Sequence, residues 1–258
     1  MESLVENCKD LRELRLKEIG EMNDEFLEYL NRLSGKLTYL DISDPGHPEA
    51  LSNDALVDMM AAIGRNLEHL DLSGNTLLLD GFLYQGLKPH ARRLHTLVLS
   101  NTPELTDAGV AEFFDTWAGA VDEPNPPLAI IDMSRNHELS GKALSSLLKH
   151  SGEALEDLNI NGWKATPEED LGKIGSMTPK LMKVNLGWCR EATDWTVKAL
   201  LENCSCLQEV KVWGCQRVTE RCPRKVSYWA ILRLCTMALT LLPQRNVKIL
   251  GIETQSYV

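Results

Sequence analysis

Apolar and polar residues follow one short motif, Leu-x-x-Leu-x-Leu, that returns along the chain at a spacing of roughly twenty-six residues. Copies begin at Leu11, Leu37, Leu67, Leu94, Leu128, Leu155, Leu181 and Leu207. Each has apolar partners three and five positions on, as in Leu67, Leu70 and Leu72, or Leu155, Leu158 and Ile160. A ninth, degenerate copy reads Val247, Leu250 and Ile252. The alternation puts one face of a short strand into a core and turns the residues between outward. No copy has an inner partner of its own, so each buries that face only against its neighbours.

Between strands the pattern switches to helical spacing. Thr106 and Asp107 precede Val110 and Phe113, and Thr193 and Asp194 precede Val197 and Leu200. Such Thr and Asp side chains accept hydrogen bonds from the unpaired N–H groups of a helix start, and the apolar stripe that follows faces the core. Ser52 ahead of Leu56 and Ser140 ahead of Leu144 are variants. The pattern predicts helices over residues 22–33, 52–64, 106–117, 140–151, 168–176 and 193–203. Strand and helix alternating at this period predict an α/β fold, a leucine-rich-repeat solenoid or horseshoe with a concave parallel sheet and convex helices. Residues 1–258 read as a single such domain.

Two spacings break the rhythm. Residues 119–127 add a Pro-rich, acidic stretch, expected as a surface loop on the rim or convex side. Residues 226–244 form an off-pattern apolar insertion. The stretch Tyr228 to Leu242 is too short for a membrane span and contains Arg233, so no membrane contact is expected. Two readings of the insertion stay open: an amphipathic helix covering the end of the solenoid, or a retained in-frame intron. The second rests on the near-repeat spacing restored when Lys225 joins Arg245, and on Val codons beginning GT while Gln can be CAG. At the other end, Asn7, Cys8 and Leu11 match Asn203, Cys204 and Leu207, so the chain starts in mid-solenoid without a polar cap. A fragment that lacks its N-terminal part is expected.

The formal charge of −10 and pI near 5.1 disfavour non-specific attraction to a phosphate backbone and favour basic protein partners. Seven cysteines, an odd number, without a secretory leader fit reduced thiols better than a disulfide framework. Cys189 and Cys215 stand three residues after Leu186 and Val212, where Asn75 and Asn136 follow Leu72 and Met133, and Cys204 repeats Cys8. Those slots explain three thiols without a metal, and Cys204 with Cys206 is a weak zinc signal. The six histidines are scattered over different copies, and neither a phosphate loop nor a nucleophile elbow occurs. No enzyme, cofactor or metal is expected.

The concave face is the default binding surface. Between the last two apolar residues of successive copies stand Arg15, Asp41, Asp71, Val98, Asp132, Asn159, Asn185 and Lys211. Asp41 beside Asp71 places like charges in adjacent rungs. Asp157 and Lys183, one alternation earlier, complete the partner-binding set, with lysines mixing the far end. The alternatives are a basic protein docked over Asp41, Asp71 and Asp132, or a solvated ladder satisfied by the serines at 43, 73, 100 and 134. Trp163, Trp188 and Trp213 follow consecutive strand ends by different offsets, and read either as an aromatic rim or as packing between turns. Arg217, Arg221, Arg224, Lys225, Arg245 and Lys248 make the C-terminus locally basic.

These residues resemble known proteins. Cys-x-x-Leu-x-x-Leu-x-Leu followed by Thr-Asp is similar to the cysteine-containing leucine-rich repeats of F-box ligase subunits. Leu70-Asp-Leu-Ser-Gly-Asn-Thr-Leu-Leu78, Leu99-Ser-Asn-Thr-Pro-Glu-Leu-Thr-Asp107, Val184-Asn-Leu-Gly-Trp-Cys-Arg190 and Val210-Lys-Val-Trp-Gly-Cys-Gln-Arg-Val218 resemble the C-terminal solenoid of the Rad-seven family of fungal nucleotide-excision-repair proteins. That resemblance implies a nuclear recognition subunit in global-genome repair. Its implied partners are a Swi/Snf-type ATPase, elongin C and a cullin in a ubiquitin ligase, with DNA reached through the complex. Two rivals stand beside it: an F-box substrate receptor without a repair role, and direct binding of damaged DNA by the solenoid.

Overall fold

The computed structural model describes residues 7–20, 22–32, 36–47, 51–117, 127–219 and 247–251. The insertion at 226–244, most of the 119–127 stretch, and Arg221, Cys222, Arg224, Lys225 and Arg245 lie outside the described residues, and so does the chain start before Asn7.

The nine described strands form one parallel sheet in sequence order: β1 (Glu13–Arg15), β2 (Tyr39–Asp41), β3 (His69–Asp71), β4 (Thr96–Val98), β5 (Ile130–Asp132), β6 (Asp157–Asn159), β7 (Lys183–Asn185), β8 (Glu209–Lys211) and β9 (Lys248–Leu250). In β1 to β8 the middle residue points inward and is buried, from Leu14 through Leu40, Leu70, Leu97, Ile131, Leu158 and Val184 to Val210. The flanking residues look out from the concave surface. The apolar sides of the repeats merge into one continuous core running from Leu14 to Val247. Every rung is therefore stabilised by its neighbours.

Helices α1 (Asp24–Leu30), α2 (Asn53–Ile63), α3 (Asp107–Thr116), α4 (Gly141–Ser151), α5 (Glu168–Met177) and α6 (Asp194–Asn203) match the six predicted segments to within a few residues. Thr106 caps its own helix, its hydroxyl oxygen accepting from the Gly109 N–H at 3.0 Å. The acid beside it works on a different helix. Asp107 accepts from the N–H groups of Ser140 and Ala143, one repeat on, at 2.7 and 3.1 Å. Asp80 serves Thr106, and Asp194 serves Thr219, in the same way. The Thr-Asp pair thus caps two rungs at once and ties successive helix starts into a ladder.

Two features depart from the sequence expectation. The third repeat carries helical turns at Asp80–Phe82 and Lys88–His90 around a π-helical turn at Leu83–Leu87. No Ser or Thr announces them: Leu79 precedes the first turn, and its N–H is satisfied across the rung by Asn53 Oδ1 at 3.2 Å. The second is the register of the ninth rung. Ile249, not Leu250, lies opposite Val210, and Leu250 pairs with Lys211. A one-residue slip exchanges the two faces of a strand. Ile249 therefore packs on the core.

Candidate functional site

The concave surface carries two columns of side chains. In the first, Arg15, Asp41, Asp71, Val98, Asp132, Asn159, Asn185 and Lys211 are laterally paired in the predicted order, and Asp41 lies directly against Asp71. Most of these side chains also hold the strand end. Oδ1 of Asp41, Asp71, Asp132, Asn159 and Asn185 accepts from the N–H two residues on, at 3.0, 2.9, 2.9, 3.2 and 3.1 Å. The Ser73 hydroxyl adds a 2.6 Å bond to Asp71, and the Ser134 hydroxyl adds another to Asp132 at 2.6 Å. Asn159 donates to the second oxygen of Asp132 at 2.6 Å. Ser100 and Ser134 are joined at 2.9 Å. Serine hydroxyls thus satisfy Asp71 and Asp132, whereas Asp41, Asn159 and Asn185 are held by the backbone N–H of Ser43, Asn161 and Gly187, so Asp and Asn serve the turn N–H interchangeably.

Partial burial holds the Asp71 carboxyl above its ordinary value of 3.8, reinforced by the Asp41 charge and opposed by the Ser73 hydrogen bonds. Arg15, the nearest cation along the column, pairs with Glu13 and lies over the Tyr39 ring at 4.4 Å. Burial also raises Asp157, against the pull of Lys183 and Lys211. At the far end Lys211 pairs with Glu209 at 3.2 Å, and Lys248 approaches the same carboxylate. Charge therefore changes along the groove from acidic at β2 to β5 to mixed at β7 to β9.

The other column was legible only at Asp157 and Lys183. It also contains Glu13, Tyr39, His69, Thr96, Ile130, Glu209 and Lys248. Tyr39 and His69 stack with centroids 3.9 Å apart, and burial holds His69 below its ordinary value. Their signal in the sequence was the same alternation, two positions before the acidic column.

The tryptophans separate. Trp163 is not on a rim: it is fully buried, and its indole N–H donates to the Met133 carbonyl at 2.8 Å. It stands three residues after Ile160, in the slot that Asn75, Thr102, Asn136, Cys189 and Cys215 fill in other rungs. Each of these satisfies strand-end carbonyls, as Asn136 does for Leu99 and Met133 at 2.7 and 3.1 Å, or Cys215 for Leu186 at 3.0 Å. Burial pushes the Cys215 thiol up to about 11. Among the described residues no three His, Cys, Asp or Glu converge as metal ligands. Trp188 and Trp213 stay on the rim, 55% and 53% exposed. Trp195, which the pattern did not single out, is as exposed on the helix side and lies across Gly172.

A parallel sheet of three-residue strands, a buried donor ladder and cross-capped helices define a leucine-rich-repeat solenoid. No family model matches the chain. Two curated proteins do. It is 30% identical over 213 residues to DNA repair protein rhp7 of Schizosaccharomyces pombe, covering 82% of this chain and 36% of that protein. It is 25% identical over 226 residues to DNA repair protein RAD7 of Saccharomyces cerevisiae, covering 86% of this chain and 39% of that protein. Among solved structures, yeast Rad7 in its complex with Elc1 superposes with a TM-score of 0.77 at 23% identity, over 96% of this chain and 56% of that one. The leucine-rich-repeat protein LegL7 of Legionella pneumophila gives 0.50 at 14% identity, over 79% and 65%. The chain is homologous to the Rad7 and rhp7 repair proteins and shares the solenoid fold. It spans well under half the length of those curated relatives, 36% and 39%.

Proposed function

We propose that this chain is the repeat region of a non-enzymatic, nuclear recognition subunit that acts in global-genome nucleotide excision repair and in an associated elongin/cullin ubiquitin ligase. The observation that carries the reading is homology to two DNA repair proteins over more than four-fifths of the chain, 82% and 86%. The solved yeast relative holds Elc1, which supports an adaptor of the elongin C type as a partner. A Swi/Snf-type ATPase and a cullin complete the assembly by family resemblance, and DNA is reached through it.

Within the solenoid, the concave face is the docking surface for a basic protein segment. Asp41, Asp71 and Asp132 supply the charge; Asp41 and Asp71 keep one carboxylate oxygen out of the turn bond, and that of Asp132 is shared with Asn159. Asn159 and Asn185 continue the column with neutral groups, and Asp157, Lys183 and Lys211 set the direction in which a charged segment lies. Affinity purification after ultraviolet treatment is the test, comparing the unaltered chain with an Asp71→Lys, Asp132→Lys variant. Repair partners are expected with the first, and loss of the concave-face partner is expected with the second. Recovery of F-box adaptors without repair factors overturns the repair role. Full retention by the variant overturns the concave site.

A further inference from the structure

A second surface lies outside the concave face, on the rim where strands end. Each of β1 to β8 is followed, two residues past its last apolar residue, by one residue of left-handed backbone: Glu18, Asp44, Gly74, Asn101, Arg135, Gly162, Trp188 and Gly214. At this position glycine is unstrained, and an arginine or tryptophan costs conformational energy while its side chain is turned out of the stack. Between β4 and β7 four consecutive rim residues, Asn101, Arg135, Gly162 and Trp188, line a groove of about 380 Å³ together with His137 and Lys164. Gly162 makes the gap, since its missing side chain leaves space between Arg135 and Trp188. A Cβ there would come 3.2 Å from the His137 ring. Trp188 rests one side of its indole on Gly214 and presents the groove with an exposed aromatic wall.

The chemistry of this groove is opposite to that of the concave face. Among the described residues no carboxylate lines it. Nor, among those residues, does Arg135 or Lys164 make an ion pair. Two unengaged cations beside an exposed indole suit an anionic ligand with an apolar or aromatic group.

A nucleic-acid strand and an acidic peptide both have that character, and size and charge decide between them. Four rungs at about 4.8 Å span about 14 Å, the length of four or five extended residues. A nucleic acid would need more phosphate contacts than two cations provide, against a chain of net charge −10. A short peptide needs only one or two. We infer that the rim groove of Arg135, Lys164 and Trp188 binds a short acidic protein segment, whose carboxylates meet the two cations while an aromatic or aliphatic side chain lies on Trp188.

The test uses the whole chain and a fluorescein-labelled peptide of about eight residues, with Asp and Glu around a central Phe, read by fluorescence anisotropy. The Asn/Gln version of the peptide and a single-stranded oligonucleotide of equal charge serve as competitors. Trp188→Gly suits the left-handed backbone, so it keeps the fold while removing the aromatic wall. It is expected to weaken binding about tenfold, and Arg135→Glu with Lys164→Glu by at least as much. Lys142→Glu with Lys198→Glu, the same charge change on the helix side, leaves binding unchanged. Cooperative thermal unfolding of all variants, none markedly less stable than the parent, separates lost contact from lost fold. The proposal is overturned by the absence of peptide binding up to about 1 mM, by equal binding of the Asn/Gln peptide, by indifference to the groove variants, or by preference for the oligonucleotide.

Discussion

The turns after β6 and β7 carry the same side chain one residue out of phase. Trp163 stands three residues past the last apolar strand residue and is fully buried, whereas Trp188 stands two past it and is 55% exposed. At the third position a side chain enters the stack beside a strand-end carbonyl, which an indole, an amide, a hydroxyl or a thiol can satisfy. At the second position a left-handed backbone turns the side chain outward. In this solenoid the role of a residue follows its phase in the repeat before it follows its chemistry. The first turn therefore holds the molecule together, and the second is free to recognise something.

That contrast is breakable by measurement. Trp163→Ala empties a core site and leaves the Met133 carbonyl with Asn136 as its remaining donor, so urea denaturation is expected to show a loss of about 3–5 kcal/mol, most of it from the cavity. Trp188→Gly, measured in the same way, is expected to stay within about 1 kcal/mol of the parent, towards greater stability. Equal losses at the two positions would refute the phase argument. Asn136→Leu probes the same slot with an amide. It leaves the buried Thr102 N–H unpaired and removes one of two donors from each of the Leu99 and Met133 carbonyls, which keep the Thr102 hydroxyl and the Trp163 indole, for an expected loss of about 1–3 kcal/mol.

Smaller effects sharpen the comparison at the helix starts and on the concave face. Asp107→Ala is expected to cost about 1 kcal/mol, and the readout is local. Hydrogen exchange should accelerate at Ser140 and Ala143, where α4 begins, while Gly109 in α3 stays protected by Thr106. Acceleration confined to α3 would contradict the cross-rung cap.

Asp71→Asn keeps the acceptor for the Ser73 N–H, as Asn159 and Asn185 do for their turns, and removes the repulsion from Asp41. Because the folded-state value of Asp71 lies above 3.8, its contribution to stability is fully present below that pH and is lost as pH rises through the folded value. The variant should therefore be more stable than the parent at neutral pH by about a few tenths of a kcal/mol, with the gain shrinking towards acid. A gain that grows on acidification would reverse the assignment.

Much of this architecture is legible in the order of residues alone. The strand positions of eight rungs, six helices, the acidic column with Asp41 against Asp71, and the Asn and Cys slots all follow from local periodicity. Alternation within a strand decides which side faces the core. The slot itself even marks Trp163, through its distance from Ile160, but the residue type draws attention away from the spacing. The third-repeat helix is hidden because its cap, Asn53, belongs to the preceding repeat and its own start has neither Ser nor Thr.

By itself, then, the amino-acid sequence determined the repeat, its phase and the inward or outward direction of most side chains, since these depend on contacts within one rung. Only the tertiary structure decided what lies beside what across rungs. It placed Asp107 on the next helix, stacked Tyr39 on His69, shifted β9 by one residue, and opened the rim groove at Gly162 between two larger neighbours. Such lateral contacts join residues some twenty-five or more positions apart. Their register depends on the length and shape of every intervening turn, which the period of the pattern does not encode.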